Sequence, residues 1–140
     1  METTLLSRSH SVGKSTWHIE WCTKYRYEMM GKEENRNLVA AYIRQAAHRH
    51  GISLIVLEVM PQHMHCVAEL PHTMSTDKAA NLLKGYSAWK IFRVKEKFRL
   101  RYPRGHFWSR GYMARTVGVD EEQAIRYVRN QQAHHGVTFA

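Results

Sequence analysis

The stretch that most constrains this chain is Ile52-Ser53-Leu54-Ile55-Val56-Leu57-Glu58-Val59-Met60, a β-branched apolar run that Pro61-Gln62 cuts short. Such a run reads as a central strand, because branched side chains pack well on a pleated surface. A second strand is predicted over 63–70, and the short connection makes the pair a hairpin. In that second strand Met64, Cys66, Ala68 and Leu70 alternate with His63, His65, Val67 and Glu69. One sheet face is therefore apolar and belongs to the core, and the other carries two imidazoles. Cys66 falls on the core side, as a small hydrophobe rather than a ligand.

The remaining elements fit around that hairpin. Residues 1–16 are rich in Ser and Thr with little periodicity and read as a loosely structured N-terminal segment. From Trp17 the pattern alternates: Trp17, Ile19, Trp21, Thr23 and Tyr25 on one side, His18, Glu20, Cys22, Lys24 and Arg26 on the other, a half-buried strand. Residues 33–50 read as a helix with apolar positions Leu38, Ala41, Tyr42 and Ala46, stopped by Gly51. Ser75 or Thr76 can cap a helix whose apolar positions are Ala79, Leu82, Leu83, Tyr86, Trp89 and Phe92. A Pro/Gly-broken loop at 103–106 leads to a strand at 111–117. Asp120 and Gln123 then read as the cap and capping-box partner of a last helix. The order β-α-β-β-α-β-α is the split βαβ, or ferredoxin-like, arrangement: an α+β single domain with an antiparallel sheet and helices on one face. The domain is placed at 17–140, with the last helix carrying Tyr127.

Length, charge and cysteine usage limit the function classes. At 140 residues the chain suits one domain with a core of its own. No apolar run approaches the roughly 20 residues of a membrane span. The start lacks a basic stretch followed by an apolar one, so no secretory signal is expected. Cys22 and Cys66 are too few for a disulfide scaffold. A cytoplasmic basic domain is the expectation, with a formal net charge of +9. Residues 84–115 hold ten basic side chains and one acid, whereas the rest of the chain balances eleven against eleven. Such a one-sided excess favours a polyanion partner. Lys84, Lys90, Arg93, Lys97, Arg110 and Arg115 are the candidate nucleic-acid contacts. The interleaved aromatics read as core at helical positions, with base stacking open for Phe107 and Trp108.

His63-Met64-His65 puts two imidazoles on one face of a strand, half of a metal site that still needs a third ligand. Near the other end, Tyr127 and Gln131 stand four residues apart on one helix face, flanking an apolar stripe of Ala124, Ile125 and Val128. By residue type alone, Tyr127 reads as a packing residue at the rim and Gln131 as a surface amide.

Several ordered blocks over residues 17–131 resemble the single-tyrosine HUH transposases of bacterial and archaeal insertion sequences, TnpA-like enzymes that act on single-stranded DNA. The blocks are Trp17 to Trp21 leading into Lys24-Tyr25-Arg26, then Val59-Met60-Pro61-Gln62-His63-Met64-His65, then Leu83-Lys84-Gly85-Tyr86-Ser87. They continue with Phe107-Trp108-Ser109-Arg110-Gly111-Tyr112, Thr116-Val117-Gly118 and Tyr127-x-x-x-Gln131. One departure is Gln62, where the family commonly has an acid.

The resemblance implies that His63, His65 and Gln131 hold one divalent ion, Mg²⁺ or Mn²⁺. It implies that Tyr127 attacks the scissile phosphate, leaving a free 3′-OH and a 5′-phosphotyrosine link. It further implies a homodimer in which the tyrosine helix serves the partner's histidine pair, and a substrate of single-stranded DNA with hairpin ends. The chemistry is coherent: neutral ligands leave the ion's charge to act on phosphate, and a covalent intermediate conserves the bond energy for rejoining. The alternatives are a domesticated relative that processes repeated genomic hairpins, and a non-catalytic single-strand-binding module.

Overall fold

The computed structural model describes residues 14–117 and 125–130. Four strands form one sheet: β1 (Lys14–Cys22), β2 (Ser53–Val59), β3 (His63–Pro71) and β4 (Met113–Thr116), in the order β2-β3-β1-β4. Every neighbouring pair is antiparallel. Helix α1 (Glu33–Arg49) connects β1 to β2, and α2 (Thr76–Val94) leads from β3 towards β4. This is the split βαβ architecture that the element order predicts.

The hairpin is centred where the apolar run breaks. Val59 faces Met64 across the ladder, and Met60 N–H donates to the His63 carbonyl at 2.7 Å around Pro61-Gln62. Helix α1 stops as expected, because Gly51 takes the left-handed conformation at φ 72°. For α2 the cap is Ser75, whose Oγ accepts from Lys78 N–H at 3.0 Å.

Two apolar clusters lie on opposite faces of the sheet. The main core joins Ile19, Trp21, Met64, Cys66, Ala68 and Leu70 to the inner sides of α1 and α2. The alternation of β3 is thus realised, and Cys66 is a fully buried core residue, its thiol pushed up to about 12 by burial. On the other face Val56, Val67, Val117 and Val128 form a small cluster of their own, joined by Ile55 and Ile125. Residues 125–130 are helical and dock there through Val128.

Four readings of the sequence differ from the structure. The first strand begins at Lys14 and ends at Cys22, so 14–16 belong to the sheet, where Lys14 pairs with Pro71. Tyr25 does not continue the strand face; it sits in a 3-10 turn, Lys24–Arg26, and is 65% exposed. In α1 the inward residues are Val39, Tyr42, Ile43, Ala46 and Ala47, and Ala41 faces outward, because the α1–sheet contact follows the stripe centred on Ile43. Trp89 is 54% exposed on α2, although its spacing suits the core. Ile91 is buried there beside Phe92, which is buried as its spacing predicts. The last helix's cap residues Asp120 and Gln123, the stripe residue Ala124 and Gln131 lie outside the described residues, as do 1–13. No described helix is long and apolar enough to cross a membrane.

Candidate active site and nucleic-acid surface

On the valine face of the sheet, β3 presents His63 and His65 side by side, both buried. Their Nε2 atoms are 2.8 Å apart, close enough to share one hydrogen bond. Register then decides their surroundings. In the ladder Glu20 of β1 and Glu58 of β2 both oppose His65, which stands between two carboxylates. Glu20 Oε1 lies 3.1 Å from His65 Nδ1 and 3.7 Å from His18 Nε2.

The electrostatics follow from that grouping. The hydrogen bond from His65 holds the Glu20 carboxyl below the usual carboxylate range, against the opposing pull of burial. Burial, reinforced by His65, pushes His18 below its ordinary value, so its imidazole is neutral near pH 7. Glu58 is pushed up by burial, with Arg129 acting in the opposite direction.

Glu20 Oε1 faces His65 Nδ1 at 3.1 Å, while the His65 Nε2 side is turned to His63 Nε2 at 2.8 Å. Two nitrogens each about 2.1 Å from one ion at a right angle stand about 3.0 Å apart, close to the spacing seen here. His63 and His65 therefore fit two coordination positions of a single metal. Among the described residues His18, Glu20 and His65 also have ligand atoms within 4.8 Å of one another. A Glu20 carboxylate that orients His65 through Nδ1 is the better use of that cluster, because it leaves Nε2 aimed at His63.

Tyr127 reaches this face from the helical segment at 125–130. Its ring stands edge-on to His18 with centroids 5.9 Å apart, and it is 44% exposed. The same segment buries Val128 completely against Val56, Val67 and Val117 of its own chain. Within the single chain Tyr127 thus lies on the histidine face, with the valine cluster holding the segment there.

Sequence reasoning singled out His63, His65 and Tyr127, and the structure brings all three to one face. It missed His18 and Glu20, which were assigned only to the polar side of the first strand. The available signal was that His18 and Glu20 recur with the period of the histidine pair. The fate of Gln62 is also visible: its carbonyl accepts from Thr23 N–H at 2.9 Å, tying the hairpin turn to β1.

The basic segment spans more than one part of the fold. The chain crosses from the helical layer to the far edge of the sheet between 84 and 115, so its charges separate. Lys84 is a tether: Nζ donates to the Arg110 and Gly111 carbonyls at 3.3 and 3.1 Å. Lys90 and Arg93 flank the exposed Trp89 ring on α2 at 5.8 and 5.1 Å. Lys97 is exposed on the 3-10 turn Glu96–Leu100. Arg115 sits opposite His18 on β4, on the histidine face. Phe107 and Trp108 are 1% and 6% exposed and belong to the core, so the rings available for stacking are Trp89 and Tyr25 instead.

A family model described as IS200-like transposase matches residues 11–131, nearly the whole chain. The chain belongs to the IS200-like transposase family. Its relatives include the transposase for insertion sequence element IS200 of Salmonella typhimurium, 26% identical over 125 residues, covering 89% of this chain and 82% of that protein. The ISDra2 transposase TnpA of Deinococcus radiodurans is 28% identical over 116 residues, covering 82% of each chain. Among solved structures, a Deinococcus radiodurans protein described as a candidate transposase superimposes with TM-score 0.70 at 28% identity, covering 86% of this chain and 93% of that one. The REP-associated tyrosine transposase bound to a REP hairpin shares the fold, with TM-score 0.61 at 15% identity over 87% of this chain and 68% of that one. The IS200-like family is one of DNA-cutting and strand-joining enzymes.

Proposed function

We propose that this IS200-like transposase cleaves and rejoins single-stranded DNA at the ends of an insertion sequence through a tyrosine nucleophile and a divalent cation. The observation that carries the reading is the convergence on one sheet face of two imidazoles, with Nε2 atoms 2.8 Å apart, and of Tyr127 beside His18. His63 and His65 would hold the ion, with Gln131 as a third ligand. Mg²⁺ or Mn²⁺ there supplies Lewis-acid stabilisation of charge developing on the phosphate oxygens.

The residues of the chain do the rest. Tyr127 Oη bonds to phosphorus while the bond from phosphorus to the 3′ oxygen breaks. The departing oxygen takes up a proton and leaves as a free 3′-OH, and the 5′ side stays on the protein as phosphotyrosine. A tyrosine is a weak nucleophile while protonated, with a reference pKa near 10. His18, kept neutral by burial, has its ring 5.9 Å from that of Tyr127 and is the candidate acceptor of its proton. Glu20 holds His65 in the tautomer that frees Nε2. Rejoining reverses the step: a 3′-OH attacks the phosphotyrosine and Tyr127 takes back its proton, with no nucleotide cofactor consumed.

Hairpin-bearing single-stranded DNA is the proposed substrate; a protein that shares the fold has been solved bound to a REP hairpin. A homodimer in a prokaryotic cytoplasm, acting at the nucleoid, is the proposed setting. Incubation with hairpin-bearing single-stranded DNA from the ends of its own element and Mg²⁺ is expected to yield a covalent adduct on a denaturing gel. Tyr127→Phe and His63→Ala should both abolish it, His63→Ala with hairpin binding retained. An adduct that survives Tyr127→Phe would overturn the assignment.

A further inference from the structure

The turn that follows β1 is strained in a way that the hairpin, the core and the histidine site do not require. Tyr25 and Arg26 are consecutive non-glycine residues in the left-handed region, at φ 60° and 55°. Such conformations cost energy and persist where the surroundings over-determine them, most often at binding sites. Here the surroundings are explicit. Thr23 Oγ1 donates to the Tyr27 carbonyl at 2.6 Å, Tyr102 Oη to the Lys24 carbonyl at 2.7 Å, and Lys24 N–H to the Phe107 carbonyl at 2.9 Å. The result is to hold the Tyr25 ring in solvent, 65% exposed, with the Tyr27 and Tyr102 rings 5.4 and 6.3 Å away.

Beside that ring opens a cavity of about 450 Å³ lined by Lys24, Tyr25, Arg104, His106, Trp108 and Arg110. Three permanent cations and an imidazole surround it, and no acid lines it. Trp108 forms a fixed wall, since its Nε1–H is held by Ser87 Oγ at 2.9 Å. Lys24 Nζ lies 5.3 Å from the Tyr25 ring centre. An aromatic face beside clustered cations suits a ligand with a flat π-system and an attached anion.

The geometry points to this cavity as a seat for one unpaired nucleotide of single-stranded DNA, its base stacked on Tyr25 and its phosphates met by Lys24, Arg104 and Arg110. The choice of a nucleic acid rests on the transposase reading above. The seat is also placed for that reading, because Cys22 opposes His63 in the ladder and Thr23 N–H binds the Gln62 carbonyl. A strand anchored in the cavity starts at the His63 end of the sheet.

Fluorescence anisotropy with the full-length chain and no added metal tests it, using oligothymidylate and an abasic deoxyribose-phosphate oligomer of equal length. The wild type should bind the base-bearing strand about tenfold or more tightly than the abasic one. Tyr25→Ala should bring oligothymidylate down to the abasic level and leave abasic binding unchanged, which also checks that the variant is folded. Tyr25→Phe should keep the preference. Arg104→Ala should weaken both strands alike and flatten the salt dependence by about 0.7 for each phosphate that is no longer neutralised. Equal binding of the two strands by the wild type, a preference that survives Tyr25→Ala, or one abolished in Tyr25→Phe would each overturn the assignment. Neither Tyr127 nor metal enters the measurement. Failure of covalent capture with the base preference intact would therefore overturn the cleavage reading alone.

Discussion

Glu20 shows how much a single side chain can govern at this site. Its carboxylate is the contact on His65 Nδ1, at 3.1 Å, and so selects the nitrogen that faces His63. Loss of such an orienting partner typically costs 10–100-fold in metal affinity. Glu20→Gln should therefore weaken Mn²⁺ binding within that range in a calorimetric titration, with the fold retained. Unchanged affinity would remove Glu20 from the site. His18 carries a pH dependence whose sign follows from burial. Its folded-state pKa lies below the ordinary value of about 6.5, so the unfolded chain binds the proton more readily. Folding stability should fall as pH drops below about 6.5 towards the depressed folded value. Glu20, also depressed, adds a loss of the same sign at more acidic pH, while the raised Glu58 carboxyl works against it. Urea unfolding of metal-free protein should show a decline between pH 7 and pH 5.5 that His18→Gln reduces.

Among the described residues, the C-terminal helical segment docks through few side chains. Its described anchor is Val128, fully buried in a cluster of four valines, whereas α1 and α2 share the large core on the other face. Truncation to Ala at such a site removes about 1–2 kcal/mol of burial. A charge there should undock the segment outright. Val128→Asp is expected to abolish the covalent adduct while the main thermal transition shifts by only a few degrees; an intact adduct would mean that Tyr127 is positioned by other contacts. The elements themselves were largely legible in the sequence. The hairpin, the two helices and the alternation of β3 follow from local periodicity, and Ser75 and Gly51 mark boundaries where capping chemistry demands them. The exposed face of α2 was not legible. Trp89 shares its helical spacing with the buried Phe92 and yet is exposed, while Ile91 is buried, and periodicity alone does not fix the edge of the buried stripe.

For the whole molecule, the question is which chain completes which site. Tyr127 stands on the histidine face of its own chain when that chain is alone. Mixing His63→Ala chains with Tyr127→Phe chains separates the two arrangements of the proposed homodimer. Recovery of the adduct from the mixture would show that the helix serves a partner's histidine pair, as the resemblance implies, and its absence that each chain completes its own site. The sequence by itself determined the split βαβ order, the two-sided character of β3, the histidine pair and the spacing of the tyrosine segment, all properties of residues close together along the chain. Only the tertiary structure decided that Glu20 and His18 join the histidines, that the basic segment spans more than one part of the fold, and that Tyr25 is the exposed ring while Phe107 and Trp108 are buried. The reason is physical. Periodicity fixes which way a side chain points within its own element, but its neighbours depend on the register between strands far apart in sequence, and that register is set by hydrogen bonding and packing of the whole sheet.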